Sequence, residues 1–185
     1  AEQFSGLILH DLAGGALADL QRIFDDQGGL QNLFNTFKDM QIRPVFLHII
    51  TADKATVQSV ATHMDMTEQL GDVGGIACHI AVLNRRGMLK PADYPFWYGY
   101  KDADGQQQAG KTRERLLALG GIEIVLPHID ERTLALAKNL NIPLSAAIHD
   151  RQLPVVDRQR IRTFVTAFDD AMTPEVRAIL GVEHA

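Results

Sequence analysis

The sequence predicts an α/β fold, with a mostly parallel sheet flanked by helices on both faces. Short apolar runs of strand length alternate along the chain with segments of helical periodicity, which is the order expected of βαβ units. The apolar runs are almost continuously hydrophobic, as in strands that helices cover on both sides. A length of 185 residues fits one domain, residues 1–185, that is large enough to bury a sizeable core.

Five apolar runs are the expected strands. In chain order they cover residues 6–10, 44–50, 79–84 and 122–126, with a short fifth at residues 143–148. The residues that follow each strand are of most interest, because ligands of parallel α/β sheets lie beyond the carboxyl ends of the strands.

The helices are expected between these runs. The first presents apolar residues on one face of residues 17–24, is interrupted by two glycines and resumes over residues 33–37. Asp53 is the expected N-cap of a second helix that ends near Gln69. Further helices are expected over residues 112–119, 131–139 and 157–172, with a last short one that has Pro174 in its first turn.

Composition excludes several classes of protein. A net charge of −5 argues against a general affinity for nucleic acid or for anionic membranes. The single cysteine, Cys78, excludes an intrachain disulfide and fits a reducing cytoplasm. No apolar stretch approaches the ~20 residues that a membrane-spanning helix requires.

Residues 105–112, which read GQQQAGKT, match the phosphate-loop pattern G-x-x-x-x-G-K-[ST]. In such a loop the backbone between Gly105 and Gly110 would cradle phosphates, Lys111 would reach the β- and γ-phosphates, and Thr112 would bind magnesium. The preceding residues are polar and turn-like, whereas a phosphate loop follows a buried strand. A glycine-rich loop that enters a helix is therefore the favoured interpretation, with the phosphate loop as the alternative.

The N-terminal segment FSGLILHDLAGG is a second location for phosphate chemistry. Its apolar run ends at Asp11, and Gly14 and Gly15 follow. A carboxylate at a strand end can hold Mg²⁺ through water, and a glycine turn lets the backbone approach a γ-phosphate. A strand that ends in a capped, glycine-containing turn would explain the same residues without a ligand.

The order of the other strand ends adds to this observation. The second strand, VFLHII, leads into a helix through Asp53, the third ends in Asn84-Arg85, and the fourth ends in Leu126-Pro127. This succession resembles the MinD/ParA-like family of P-loop ATPases, in particular the branch found in plasmid partition and conjugal-transfer operons.

The resemblance implies a P-loop NTPase-like, three-layer fold with a site for ATP or ADP and Mg²⁺. By resemblance, Asp11 would contact the magnesium shell as the catalytic carboxylate, and the turn at Gly14 and Gly15 would face the γ-phosphate. Asn84 and Pro127, at the ends of the third and fourth strands, would select the adenine, and Arg85 is a further residue expected to bind the cofactor. The resemblance also implies a nucleotide-dependent homodimer in the cytoplasm, a partition or conjugation partner protein, and weak or indirect contact with DNA.

The position of the family's own phosphate loop is a departure from this pattern. In the family that loop precedes the switch strand, and no residue of this chain occupies the corresponding place. We therefore expect either the C-terminal part of a longer ATPase or a domain that has lost phosphate binding. In both cases this chain alone should not hydrolyse ATP efficiently, because the lysine and backbone amides of the loop supply most of the charge stabilisation in phosphoryl transfer.

Two alternative functions stay open at this point. One is a non-catalytic binding module that uses the long connection over residues 85–110, whose aromatic residues include Trp97; a loop folded over its own small core is the favoured interpretation of that segment. The other is a self-contained NTPase or kinase that uses residues 105–112. The histidines in or beside apolar strands, His10, His48 and His79, lack metal-ligand spacing and are expected to be hydrogen-bonded structural residues.

Overall fold

The computed structural model describes residues 6–11, 28–87 and 90–182. Its strands are β1 (Val45–Ile50), β2 (Cys78–Asn84), β3 (Tyr100–Lys101), β4 (Gln107–Gln108) and β5 (Ile122–Leu126). β1, β2 and β5 form a three-stranded parallel sheet with β2 in the centre, and β3 and β4 form a separate antiparallel hairpin. The predicted α/β class with a parallel sheet is therefore confirmed.

The helices connect and cover these strands. The connection from β1 to β2 contains a long helix, and the connection from β2 to β5 contains two shorter ones, as parallel pairing requires. The α-helices are α1 (Gly29–Asp39), α2 (Lys54–Gln69), α3 (Pro95–Tyr98), α4 (Lys111–Ala118), α5 (Glu131–Asn139), α6 (Leu144–Ala147), α7 (Val155–Ala171) and α8 (Pro174–Leu180). Short 3₁₀ helices occupy Gly71–Ile76 and Pro91–Asp93.

Helix α2 packs on one face of the sheet. Side chains alternate between the two faces of a strand, and Ala81 and Leu83 of β2 point towards α2. They share a buried cluster with Val60 and Met64 of the helix and with Trp97. Trp97 and Met64 are fully buried, so this cluster is the main core of the domain.

Helix α8 packs on the opposite face. Ile80 and Val82 of β2 and Ile124 of β5 form a second buried cluster with Val176 of α8. The alternation of β2 is thus satisfied on both sides, which explains the continuous apolar run that the sequence shows there. On β1, which lies at the edge of the sheet, Leu47 and Ile49 of this face remain exposed.

The predicted helix signals are confirmed at α2 and α8. The Asp53 side chain accepts a hydrogen bond from the Ala55 amide at 2.9 Å, which caps the N-terminus of α2. Thr173 caps α8 in the same way, and Pro174 occupies the first turn, where its missing N–H costs nothing. Each cap satisfies an amide that no residue of its own helix can bind.

The aromatic residues of the connection between residues 85 and 110 belong to the core. Tyr94 and Trp97 are buried in the cluster beneath α2, and the Tyr94 hydroxyl donates to the Asn84 carbonyl at 2.7 Å. The segment is therefore folded over its own part of the core, as the favoured interpretation predicted. A partner protein would not touch Trp97, so any effect of its substitution on binding would act through folding.

Two predicted strands are wrong. Residues 6–11 form no strand, and Leu7, Ile8 and Leu9 are 54%, 63% and 75% exposed. An apolar run adopts a strand only when a neighbouring strand pairs with it, and within the described residues no strand pairs with the outer edge of β1. Residues 143–148 form α6, because a short apolar run after a proline fits a helix start as well as a strand.

Candidate functional site

The carboxyl ends of β2 and β5 bring three of the residues predicted to bind the cofactor to one edge of the sheet. Asn84 lies opposite Leu126 in the parallel register, and Pro127 is the residue that follows Leu126 at the same edge. The Arg85 amide donates to the Leu126 carbonyl at 3.1 Å, which continues the ladder by one step. Asn84, Arg85 and Pro127 therefore share one edge of the sheet, and β2 as the central strand places Asn84 in its middle.

The Asn84 side chain is held in one orientation. Its Oδ1 accepts the Arg86 amide at 3.1 Å, which forms a turn directly after the strand. Its carbonyl accepts the Tyr94 hydroxyl, and burial raises the pKa of that phenol. Within the described residues the Asn84 Nδ2 donates no hydrogen bond, so it is free to donate to a ligand acceptor.

The first turn of α5 borders the same edge. Arg86 Nε and Glu131 Oε1 form an ion pair of 3.1 Å that joins the turn after β2 to the start of α5. Both side chains are well exposed, so the pair is worth at most about 1 kcal/mol. Asp130 caps α5, and the hydrogen bond from the Thr133 amide lowers the pKa of the Asp130 carboxyl.

A buried polar network joins the start of α5 to α7. Asp157 of α7 is 1% exposed, and the Thr133 hydroxyl donates to its Oδ1 at 2.6 Å. Arg160 lies 3.3 Å from Asp130 and 3.5 Å from Asp157 and so bridges the two carboxyl groups. Nothing in the sequence reveals this network, because the residues of α5 and α7 that form it are more than twenty positions apart.

The residues predicted to bind phosphate and magnesium are not brought to this edge by the described structure. Asp11 lies in the exposed, irregular segment at residues 6–11, and Gly14 and Gly15 lie outside the described residues. Among the residues described, no group of three or more His, Cys, Asp or Glu side chains could hold a metal ion. The role of Asp11 at a magnesium shell stays a prediction.

The GQQQAGKT segment has a different geometry from a phosphate loop. Gly105 lies in the turn of the β3–β4 hairpin rather than after a buried parallel strand, and Gly110 precedes α4 with a positive φ of 86°. The amides of Asp104 and Gln106 donate to the Asp102 carboxylate at 3.0 and 2.8 Å, and these bonds lower the pKa of Asp102. Amides that already bind a carboxylate cannot also cradle a phosphate. Lys111, which is exposed, and Thr112 begin α4.

Two strand histidines form a buried pair. His48 Nε2 and His79 Nδ1 lie 2.9 Å apart, and His79 Nε2 lies 3.1 Å from the Thr67 hydroxyl. The pair is fully satisfied when Thr67 donates to the Met64 carbonyl at 3.0 Å, because each imidazole then donates through Nε2. Burial, followed by the neighbouring imidazoles, lowers the pKa of His48 to about 3 and that of His79 to about 4. The expectation of structural strand histidines is confirmed for both.

A second polar cluster anchors the connection over residues 85–110 to the sheet. Glu123, which projects from β5, forms an ion pair of 2.5 Å with Arg113 of α4 and accepts the Tyr98 hydroxyl at 3.1 Å. Burial and the carboxylate raise the pKa of Tyr98 to about 12, while the Arg113 guanidinium lies over its ring. Glu123 is the one charged residue in the apolar run IEIVL. This exception could have indicated the polar cluster from the sequence, but it was not recognised there.

Comparison with protein-family models, with curated proteins and with solved structures gives no match to this chain. In residues 6–11, 28–87 and 90–182, none of the helices is both long enough and apolar enough to cross a membrane.

Proposed function

We propose that this chain is a nucleotide-binding domain whose carboxyl edge recognises an adenine base. In this proposal it belongs to a MinD/ParA-like ATPase with a P-loop NTPase-like, three-layer fold, and acts as a nucleotide-dependent switch in plasmid maintenance or DNA transfer. The working form would be a cytoplasmic homodimer that meets a partition or conjugation partner protein and touches DNA weakly or indirectly.

The observation that carries the proposal is the pairing of Asn84 with Leu126, which puts Asn84 and Pro127 at the same carboxyl edge of the sheet. A base site needs an apolar surface for the ring and a directed polar group for its edge. The ring of Pro127 supplies the first and the Asn84 amide supplies the second. The Arg86 amide fixes Oδ1, so Nδ2 is presented as a donor to a ring nitrogen of the base.

The described residues fit the base of ATP or ADP but do not fit its phosphates with Mg²⁺. The first two amides of residues 105–112 donate to Asp102 instead: Gly105 to its carbonyl and Gln106 to its carboxylate. Asp11, Gly14 and Gly15 keep their proposed roles at magnesium and the γ-phosphate only as an inference from the resemblance. Hydrolysis of ATP is accordingly proposed for the chain joined to a phosphate loop, and not for this chain alone.

The test is an NMR titration of the chain with Mg-ATP, Mg-ADP and Mg-GTP, followed through the backbone amides of residues 84–87. Adenine nucleotides should shift these amides. The change Asn84→Ala should weaken binding about tenfold, the effect of removing a hydrogen bond worth roughly 1.4 kcal/mol. Asn139→Ala is the matched control, because Asn139 is exposed at the far end of α5.

Three results would contradict the proposal. These are no binding of any nucleotide, equal binding of GTP and ATP, and equal losses in Asn84→Ala and Asn139→Ala. The variant Lys111→Ala tests the alternative phosphate loop. Loss of nucleotide binding in that variant alone would place the phosphates at residues 105–112. The alternative of a protein-binding module is tested by substituting exposed residues of the β3–β4 hairpin and measuring binding to a candidate partner protein.

A further inference from the structure

We propose that Asp157 is a positioning residue for the Asn84 edge, acting through Thr133 and the first turn of α5. The inference deepens the proposed function and rests on it for its ligand, while the structural coupling can be measured without any ligand. Asp157 is the third residue of α7, in the first turn of the helix, and it is only 1% exposed. A buried carboxyl group is tolerated only where hydrogen bonds compensate it.

The first step of the coupling joins α7 to α5. A hydroxyl has one hydrogen, and Thr133 Oγ1 lies 2.6 Å from Asp157 but 3.0 Å from Asp130. The proton therefore goes to Asp157, and Asp130 is held by the Thr133 amide at 3.0 Å. Arg160 adds a cation beside both carboxyl groups. Thr133 is fully buried, and its hydroxyl bond to Asp157 links the first turn of α5 to α7.

The second step joins α5 to the base site. Glu131 follows the cap residue directly and pairs with Arg86 at 3.1 Å. The Arg86 amide in turn donates to Asn84 Oδ1 at 3.1 Å. A displacement of the first turn of α5 therefore reaches the Asn84 amide through two contacts. The segment that begins with Pro127 connects β5 to this same turn of α5.

The network does more than bury a side chain, because its members are polar and directional. Val in place of Thr133 would keep the shape of the side chain and remove the donor, leaving the Asp157 oxygen without its hydroxyl partner. Ser would keep the donor and lose only a methyl group. The pair Thr133→Val and Thr133→Ser therefore separates the hydrogen bond from packing.

The experiment is residue-resolved amide hydrogen exchange on wild type, Thr133→Val, Thr133→Ser and Asp157→Ala, with Asp170→Ala as the control on the exposed side of the same helix. Exchange of the Thr133 amide should accelerate at least tenfold in Thr133→Val and Asp157→Ala, and that of the Arg86 amide about three- to fivefold, because Arg86 is linked to α5 only through an exposed ion pair. It should stay within twofold of wild type in Thr133→Ser and Asp170→Ala. The amides of β2 should keep their wild-type rates. If Asp157→Ala does not fold, the two Thr133 variants decide.

The outcomes separate the two proposals. Acceleration spread evenly over the sheet would mean that Asp157 is only a stability residue, and acceleration at Thr133 without Arg86 would mean that the coupling stops at α5; either result overturns the inference. Local acceleration at both amides supports it. In the titration described above, adenine-nucleotide affinity should then fall about three- to fivefold in Thr133→Val and not in Thr133→Ser. If wild type binds no nucleotide, the proposed function fails while the exchange pattern still decides the coupling.

Discussion

The buried histidine pair should make the stability of this protein depend on pH. His48 and His79 are only 7% and 8% exposed, and burial followed by neighbouring imidazoles lowers their pKa values to about 3 and about 4. Both are neutral in the folded state at pH 5, whereas an unfolded histidine has a pKa of about 6.5 and takes up a proton. The unfolded state therefore binds more protons below pH 6.5, and acid favours it.

The size of this effect follows from proton linkage. Lowering the pH from 7 to 5 stabilises each unfolded histidine by about 2 kcal/mol, so the free energy of unfolding should fall by about 4 kcal/mol from this pair. The full contribution is present above pH 6.5 and is lost progressively as the pH falls towards 4 and 3. A domain of this kind has about 5–15 kcal/mol in total, so the loss is large.

The assay is urea unfolding at pH 7, 6 and 5, followed by the fluorescence of Trp97, the only tryptophan of the chain. The double change His48→Leu with His79→Leu should remove most of the pH dependence, because nothing in the pair then titrates. His149→Gln is the control, since His149 is exposed on the surface. A double variant whose stability is as sensitive to acid as that of wild type would contradict this prediction. So would a wild type whose free energy of unfolding falls by less than about 1 kcal/mol between pH 7 and pH 5.

Three further substitutions have expected outcomes in the same urea assay, read by circular dichroism. Gly74→Ala should destabilise by about 1–3 kcal/mol or more, because a Cβ there would lie 1.8 Å from the Thr67 carbonyl oxygen; Gly75→Ala, which meets nothing within 4 Å, should change stability by less than about 1 kcal/mol. Trp97→Ala should cost about 3–5 kcal/mol, since the ring is fully buried. Its Nε1 has no partner among the described residues, so Trp97→Phe should cost clearly less. Tyr98→Phe should cost about 1 kcal/mol through the lost bond to the carboxylate on β5, and an unchanged midpoint would contradict that role.

The parts of the fold that depend on local rules could be predicted from the sequence. Strands β1, β2 and β5 and helices α2 and α5 follow from apolar runs, caps and periodicity, and the shared edge of Asn84 and Pro127 follows from the rule on strand ends. Residues 6–10 have an equally apolar run, but a strand needs a partner, which a local pattern cannot supply. Long-range polar contacts such as those of Asp157 and Glu123 depend on which helices meet, and no local pattern records that.

The affinity expected for an adenine nucleotide depends on the base, because the base site is described and a phosphate site is not. The described edge offers a proline surface and one amide donor, and among the described residues no group of three or more His, Cys, Asp or Glu side chains could hold Mg²⁺. One directed hydrogen bond and the burial of part of a ring supply only a few kcal/mol, so binding should be near the millimolar range, about −4 kcal/mol. Adenosine and Mg-ATP should therefore bind this chain with affinities within about threefold of each other, because the phosphates contribute almost nothing. The NMR titration measures both constants directly. Binding of Mg-ATP a hundredfold tighter than adenosine would show that a phosphate site exists, and the amides that shift would identify it as residues 105–112 or the segment that follows Asp11.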